Sequence, residues 1–406
     1  EVSISLEKKD HAFGHVESFI QRGKGAIDSQ CNAFGKDQDC GGCDWLMVDY
    51  ETQLEWKTSL VQDLFKTLLP KGQIFPIVSS PKSCNYRNKV FMPVGKDGYG
   101  IYARYSHRIV KHESCLNHPQ VFDNIAQSLM ELCGKAKIEA YNDVTHMGTL
   151  RHIGLRCSID QKEILLVLVT SKSRLPFSGL IVKGITAAYP QIVGIVQNIN
   201  REKTNVILGV EEKILFGRGH LYDDLADLRF TINYRSFWQI NLGTMESILD
   251  VLRSFVKPSF KVLDAYCGIG AIGLSLANEI SELIGIEEVP EAIEDAKKNA
   301  EQNGISNASF FCGRFEDVLP KVLISFPADM VVLDPPRSGV DKESLHSIIK
   351  AKIPLIAYLS CSPINLKRDL QIILESGNYT LKSISSFDMF PNTWHIECLA
   401  MLSCKL

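Results

Sequence analysis

From about residue 255 the chain alternates between short unbroken apolar runs and longer stretches with apolar residues at helical spacing. Such short runs predict strands buried on both faces, and the stretches between them predict the helices that cover the sheet. "KVLDAYC" (261–267) reads as a strand, "AIGLSLANEI" (271–280) as a helix and "ELIGIEE" (282–288) as a strand. "PEAIEDAKKNAEQNG" reads as a helix with Pro290 in its first turn and Gly304 as its stop signal. "ASFFCG", "DMVVLDPP" and "PLIAYLSC" continue as strands, and "YTLKSISSFDMF" and "HIECLAMLSCKL" end the chain as a hairpin-like pair. The pattern predicts a doubly wound, Rossmann-like α/β domain.

Upstream the style changes. Residues 80–230 hold β-rich runs such as "EILLVLVTS" and "IVGIVQNIN" and read as a separate mixed α/β domain. Between Val48 and Leu69, the residues Leu60, Val61, Leu64, Phe65 and Leu68 predict one face of an amphipathic helix. The expected organisation is an N-terminal segment (1–45), a helix packing on the catalytic domain (46–75), a central α/β domain (76–232) and a C-terminal domain (233–406).

Composition narrows the class. The chain has 406 residues and a net charge of −3, so a nucleic-acid partner would need a local basic patch. No apolar run approaches the roughly 18 residues of a membrane span. The chain begins at Glu1 without a signal peptide, so some N-terminal sequence is expected to be missing. Twelve cysteines in a chain this large suggest metal ligation, catalysis or burial rather than disulfides, hence a reducing cytoplasm.

"DAYCGIGAIG" places Gly268, Gly270 and Gly273 in GxGxxG spacing just after a strand, and Glu287 ends the next strand, placed to meet ribose hydroxyls. NAD, FAD and S-adenosylmethionine all fit such a loop. A C-terminal domain ending in a hairpin-like pair favours S-adenosylmethionine. Three reactive groups sit at strand ends: Asp334 in "LDPPR", Cys361 in "YLSCSP" and Glu397 in "FPNTWHIE". Ligands of open α/β sheets bind beyond the carboxyl ends of the strands, so Asp334 and Cys361 should share the cofactor crevice. Ser362 and Pro363 read as a helix start, whose partial positive charge would favour a Cys361 thiolate. Cys267, Cys312, Cys398 and Cys404 read as buried small hydrophobes.

The set "SFWQIN", "DAYCGIGAIG", "GIEEVP", "VLDPPRSG", "YLSCSP" and "DMFPNTWHIE" resembles, in order and spacing, the bacterial RNA 5-methyluridine methyltransferases. The resemblance covers nearly everything from Cys31 onward. It implies a class I S-adenosylmethionine-dependent methyltransferase domain that methylates uracil C5, with Cys361 adding to C6 and Glu397 removing the C5 proton. It places Phe237 beside the base, Gln239 and Asp334 at the uracil edge, and Gln239, Tyr266, Gly268, Gly270, Glu287 and Asp334 around the cofactor. Asn241 is expected to be structural or part of the cofactor loop, and Arg314 in "CGRFED" leaves the adenine contact open. A cytosine-C5 enzyme would usually carry a Pro-Cys motif, absent around Cys361, and an RNA-binding protein with a vestigial site would not keep the full set.

Cys31, Cys40, Cys43 and Cys115 could bind zinc or an iron–sulfur cluster. The resemblance favours a 4Fe-4S cluster in the central domain and, with it, 23S rRNA over the tRNA T-loop as substrate. "NYRNK" (85–89), "YARYSHRIVKH" (102–112) and "LRHIGLR" (150–156) mix basic and aromatic residues, and each is either an RNA contact or a solvated strand face. Only 30 residues precede Cys31, fewer than the RNA-binding barrel of many relatives needs, so substrate choice is expected to rest with the central domain. A cytoplasmic monomer without membrane contact is expected.

Overall fold

The computed structural model describes residues 2–9, 12–16, 20–35, 39–69 and 73–405. Residues 36–38, between Cys31 and Cys40, and residues 70–72, within the expected 46–75 segment, lie outside that set. Val2–Glu7 (β1) and Ala12–Val16 (β2) form an antiparallel ribbon. The helix Tyr50–Phe65 (α1) starts at Asp49, whose carboxylate accepts the Thr52 N–H at 2.7 Å. Its buried stripe is Gln53, Lys57, Val61 and Phe65, spaced by four. Leu60, expected on that face, is 53% exposed. The face is rotated because half of the stripe is polar: Lys57 meets Asp388 at 2.6 Å, and Gln53 meets Asn392. Val61 and Phe65 share a core with Leu370 and Ile384.

A seven-stranded mixed sheet follows: Lys89–Gly95 (β3), Gly98–Tyr102 (β4), Ile109–Lys111 (β5), Leu150–Cys157 (β6), Ile164–Thr170 (β7), Ile192–Ile199 (β8) and Glu211–Gly217 (β9), in the order β5-β4-β3-β6-β7-β8-β9. β7 and β8 pair in parallel and the other neighbours antiparallel. Gln120–Lys135 (α2) and Ser178–Ala188 (α3) cover one face through Phe122, Ile125, Leu129, Ile181 and Ile185. β6 is buried along its whole length. Its Arg151 and Arg156 donate to the carbonyls of Asn200, Glu202, Asn233 and Ser236, so these arginines of "LRHIGLR" hold the chain together from inside.

After the hairpin His220–Leu225 (β10) and Leu228–Asn233 (β11) and the helix Leu242–Arg253 (α4) comes the second seven-stranded sheet. Its strands are Lys261–Ala265 (β12), Glu282–Glu287 (β13), Ala308–Cys312 (β14), Met330–Leu333 (β15), Leu355–Ser360 (β16), Tyr379–Phe387 (β17) and Glu397–Cys404 (β18). The helices Ala271–Leu276 (α5), Pro290–Gln302 (α6), Phe315–Ser325 (α7), Lys342–Ala351 (α8) and Pro363–Glu375 (α9) lie between them. The order is β14-β13-β12-β15-β16-β18-β17, with β18 antiparallel to both neighbours. This is the doubly wound α/β fold that the apolar runs predict, with its last strand inserted antiparallel between β16 and β17. It also explains how distant residues meet: β18 runs backwards, so its start lies at the carboxyl end of β16, where Ser360 pairs with Cys398. Glu397 and Cys361 therefore become neighbours at the edge where β15 delivers Asp334. Among the described residues, no helix is long and apolar enough to cross a membrane.

Candidate active site

A cavity of about 490 Å³ opens at the carboxyl ends of the parallel strands. Phe237, Gln239, Tyr266, Gly268, Glu287, Asp334, Cys361 and Glu397 all line it. Gly270 does not; it starts α5 behind the loop with φ +85°, where a side chain would be strained and its Cβ would strike Leu274. The backbone N–H of Gly268 donates to Glu287 at 3.1 Å, which ties the glycine loop to the end of β13. Tyr266 packs on Phe315, ring centres 5.0 Å apart, beside Gly313 and Glu316. Arg314 turns away, 68% exposed on its side chain, and pairs with Glu316. Asn241 is structural: it caps α4 and donates to Ser80 and Met389.

Burial dominates the electrostatics. Asp334 is pushed up to about 7 by desolvation. Glu397 rises well above the usual carboxylate range by burial and by the charge of Asp334, opposed by Arg337. The Cys361 thiol sits at the start of α9 as expected, yet burial and the charge of Glu397 push it up. The helix end does not prevail here; Arg337 opposes the rise by charge and by a hydrogen bond to the thiol. Sequence reasoning gave no role to Arg337, although "DPPR" puts it three residues after Asp334. It also passed over Asp264, 1% exposed and pushed up to about 7 by burial. Its carboxylate accepts the Gly273 N–H at 2.8 Å, and a Cβ at Gly273 would lie 2.7 Å from it. Of the cysteines expected to be buried, Cys267 and Cys398 are; Cys404 is half-buried and Cys312 is exposed because it ends the edge strand β14.

Cys31, Cys40, Cys43 and Cys115 line a second cavity, of about 550 Å³, which shares Arg337 and Phe390 with the first. His395 faces this second cavity and stacks on Trp394, ring centres 4.2 Å apart. Each of the four sulfurs accepts a hydrogen bond: Cys31 from the Ala33 and Phe34 backbone, Cys40 from Gly42, Cys43 from the Asn117 side chain at 3.1 Å, and Cys115 from Asn117 and His118. Such donors favour thiolate, the ligand form. Burial pushes Cys31, Cys40 and Cys43 up, whereas at Cys115 burial is outweighed by His118 and the thiol is held low. Among the described residues, only His112, His118 and Asp123 bring three ligand atoms within 4.8 Å of one another. A single tetrahedral zinc ion with Zn–S near 2.3 Å would hold its sulfurs roughly 3.8 Å apart. The four thiols converge on one cavity without three of their sulfurs lying within 4.8 Å of one another, and four thiolates are a donor set that zinc or an iron–sulfur cluster can take. Within the His112–His118–Asp123 set the carboxylate is hydrogen-bonded to His118 at 3.1 Å and lies 3.2 Å from His112 Nε2.

The sequence profile of the tRNA (Uracil-5-)-methyltransferase family matches residues 196–405. The chain belongs to the RNA uracil-5-methyltransferase family. Members of this family are S-adenosylmethionine-dependent RNA methyltransferases, and this chain is one of them. A relative from Oceanobacillus iheyensis, described as an RNA methyltransferase, is 38% identical over 100% of this chain and 89% of its own length. Another from Bacillus cereus, with the same description, is 37% identical over 99% of this chain and 89% of its own. Among solved structures, the Pyrococcus abyssi tRNA (uracil-54, C5)-methyltransferase in complex with S-adenosyl-L-homocysteine matches with a TM-score of 0.79 and 25% identity, over 98% of this chain and 90% of that one.

Proposed function

We propose that this uracil-5-methyltransferase forms 5-methyluridine in 23S rRNA through a covalent bond between Cys361 and uracil C6. The observation that carries the reading is the meeting of Cys361, Glu397 and Asp334 in the cavity of the glycine loop, brought about by the reversed strand β18. The target uracil is flipped out of its RNA and enters beside Phe237, 70% exposed at the cavity mouth. Gln239, Tyr266, Gly268, Glu287, Phe315 and Asp334 would hold S-adenosylmethionine, with Gly270 shaping the loop from behind. When bound, it supplies the methyl group and a positive sulfonium that favours ionised carboxylates.

Arg337 favours the Cys361 thiolate, whose attack forms the S–C6 bond and sends the C5=C6 electron pair onto C5 and the C4 oxygen. Asp334, neutral over part of the physiological range, donates a hydrogen bond to the uracil edge and spreads that charge. C5 takes the methyl group as the methyl–sulfur bond breaks, its electron pair staying on the sulfur of the departing S-adenosyl-L-homocysteine. The Glu397 carboxylate then removes the C5 proton, the C5–H pair restores the C5=C6 double bond, and the C6–S bond breaks to return the thiolate. His395 lies on the other cavity and takes no part.

Cys31, Cys40, Cys43 and Cys115 hold a 4Fe-4S cluster. The four thiols, typical of rRNA-modifying relatives, favour 23S rRNA. The alternative is a tRNA T-loop uridine, favoured by the likeness to the tRNA uracil-54 enzyme. Mass mapping of total RNA from cells with and without this protein decides: loss of 5-methyluridine from 23S rRNA supports the first reading, and loss from tRNA alone supports the second. The enzyme acts as a cytoplasmic monomer.

A further inference from the structure

Glu397 begins β18, and the segment before it, residues 388–396, forms neither helix nor strand. What holds that segment comes from elsewhere in the chain. The Asn392 carbonyl accepts the backbone N–H groups of Asp44 at 2.8 Å and Trp45 at 3.1 Å, the two residues after Cys43. The Asp44 carboxylate in turn accepts the Trp394 N–H at 3.3 Å. Gln53, buried on α1, closes the arrangement: its amide donates to the Trp45 carbonyl at 3.2 Å and to the Asn392 side chain at 3.3 Å, and its oxygen accepts the Asn392 N–H at 3.0 Å.

The other side of the same loop is fixed to the cysteines. Arg104 donates to Asp44 at 2.6 Å and also to the Cys43 carbonyl. Asn117 donates to the Gly42 carbonyl and to the Cys43 sulfur, both at 3.1 Å. Gly41 donates to the Tyr102 carbonyl at 2.9 Å. A chain of short contacts therefore runs from Cys40 and Cys43, through Asp44 and Trp45, to Asn392 and Trp394, and ends three residues before Glu397.

We propose that the cysteine loop braces the segment that delivers Glu397, which makes Asp44 and Gln53 positioning residues for removal of the C5 proton. This rests on the reading of Glu397 as the base and of the four thiols as ligands of one group. Ligation fixes residues 40–43, and the contacts carry that fixity to the base. Attack by Cys361 depends on the turn between β16 and α9, to which none of the brace's hydrogen bonds runs. A loosened brace should thus slow the last step selectively and leave the first intact. A base displaced by about 1 Å loses on the order of 10²-fold in rate.

The test uses Asp44→Ala and Asp44→Asn in the full chain purified anaerobically, with Glu397→Gln alongside. Bound iron and sulfide, a melting curve, S-adenosylmethionine affinity, turnover on unmodified RNA and covalent protein–RNA adduct on denaturing gels are measured for each. Asp44→Ala should keep its iron, its fold and its cofactor affinity, turn over roughly 10- to 100-fold more slowly and accumulate methylated adduct. Asp44→Asn keeps one acceptor oxygen for Trp394 or Arg104 and should recover most of the turnover. Wild-type turnover in Asp44→Ala, slowed turnover without adduct, or loss of iron in that variant overturns the proposal. Absence of adduct in Glu397→Gln would instead overturn the assignment of the base, whatever Asp44 does.

Discussion

Asp264→Asn should make the protein more stable at alkaline pH and flatten its stability against pH. Asp264 is 1% exposed, one carboxylate oxygen accepts from Gly273, and the other has no donor among the described residues. Burial, then the charges of Asp334 and Glu287, lift it to about 7 against the Gly273 hydrogen bond, while an unfolded aspartate titrates near 3.9. The folded state therefore holds a proton that the unfolded state has lost between roughly pH 4 and 7, so stability falls as pH rises through that window and levels off above it. About three units at roughly 1.4 kcal/mol each give a ceiling of about 4 kcal/mol lost at pH 8. Asparagine keeps the acceptor for Gly273 but places an amino group where no acceptor is provided, at a cost of about 1 kcal/mol. The variant should be close to wild type at pH 5, where wild type has already lost about 1.5 kcal/mol, and roughly 3 kcal/mol stronger at pH 8.5. Urea unfolding of the cofactor-free protein at both values measures this. S-adenosylmethionine should narrow the wild-type loss, because its positive charges favour ionised carboxylates. An unchanged pH slope in the variant would refute the reasoning.

Three further outcomes follow from the same structure. Cys361→Ala should abolish methylation while leaving S-adenosylmethionine binding by calorimetry unchanged, since the proposed route puts the thiol on RNA and the glycine loop on the cofactor; retained turnover ends the assignment. Lys57→Ala should cost about 3–5 kcal/mol in urea unfolding, because it leaves the buried Asp388 carboxylate without its cation; a loss below about 1 kcal/mol contradicts a structural role for the pair. Anaerobically purified protein should carry about four iron and four sulfide per chain, and Cys40→Ser or Cys43→Ser should lose them; stoichiometric zinc instead contradicts the cluster.

The α/β alternation was legible because parallel strands buried on both faces leave unbroken apolar runs, and because Pro290 and Gly304 punctuate a helix. Asp334 and Cys361 were legible because the carboxyl ends of strands in such sheets face the ligand, whereas Glu397, at the start of the reversed β18, was marked by the family resemblance. Other features depend on partners far along the chain. Gln53 and Lys57 belong to the buried stripe of α1 only because Asn392 and Asp388 meet them more than 330 residues away. A hydrophobic pattern therefore put Leu60 inside and the two polar residues outside. Arg337 stood in a quoted motif, but only the fold brings its guanidinium to the thiol. The helix-end argument for Cys361 was sound locally and lost to burial, which a sequence does not display.

In the proposed covalent route Glu397 acts last. Glu397→Gln keeps the shape of the side chain and removes its capacity to take a proton. Incubated with S-adenosylmethionine and unmodified RNA, then digested with nuclease, the variant should yield a Cys361 peptide carrying a methylated uridine nucleotide, identified by mass spectrometry. Turnover at the wild-type rate with no such peptide would contradict the account.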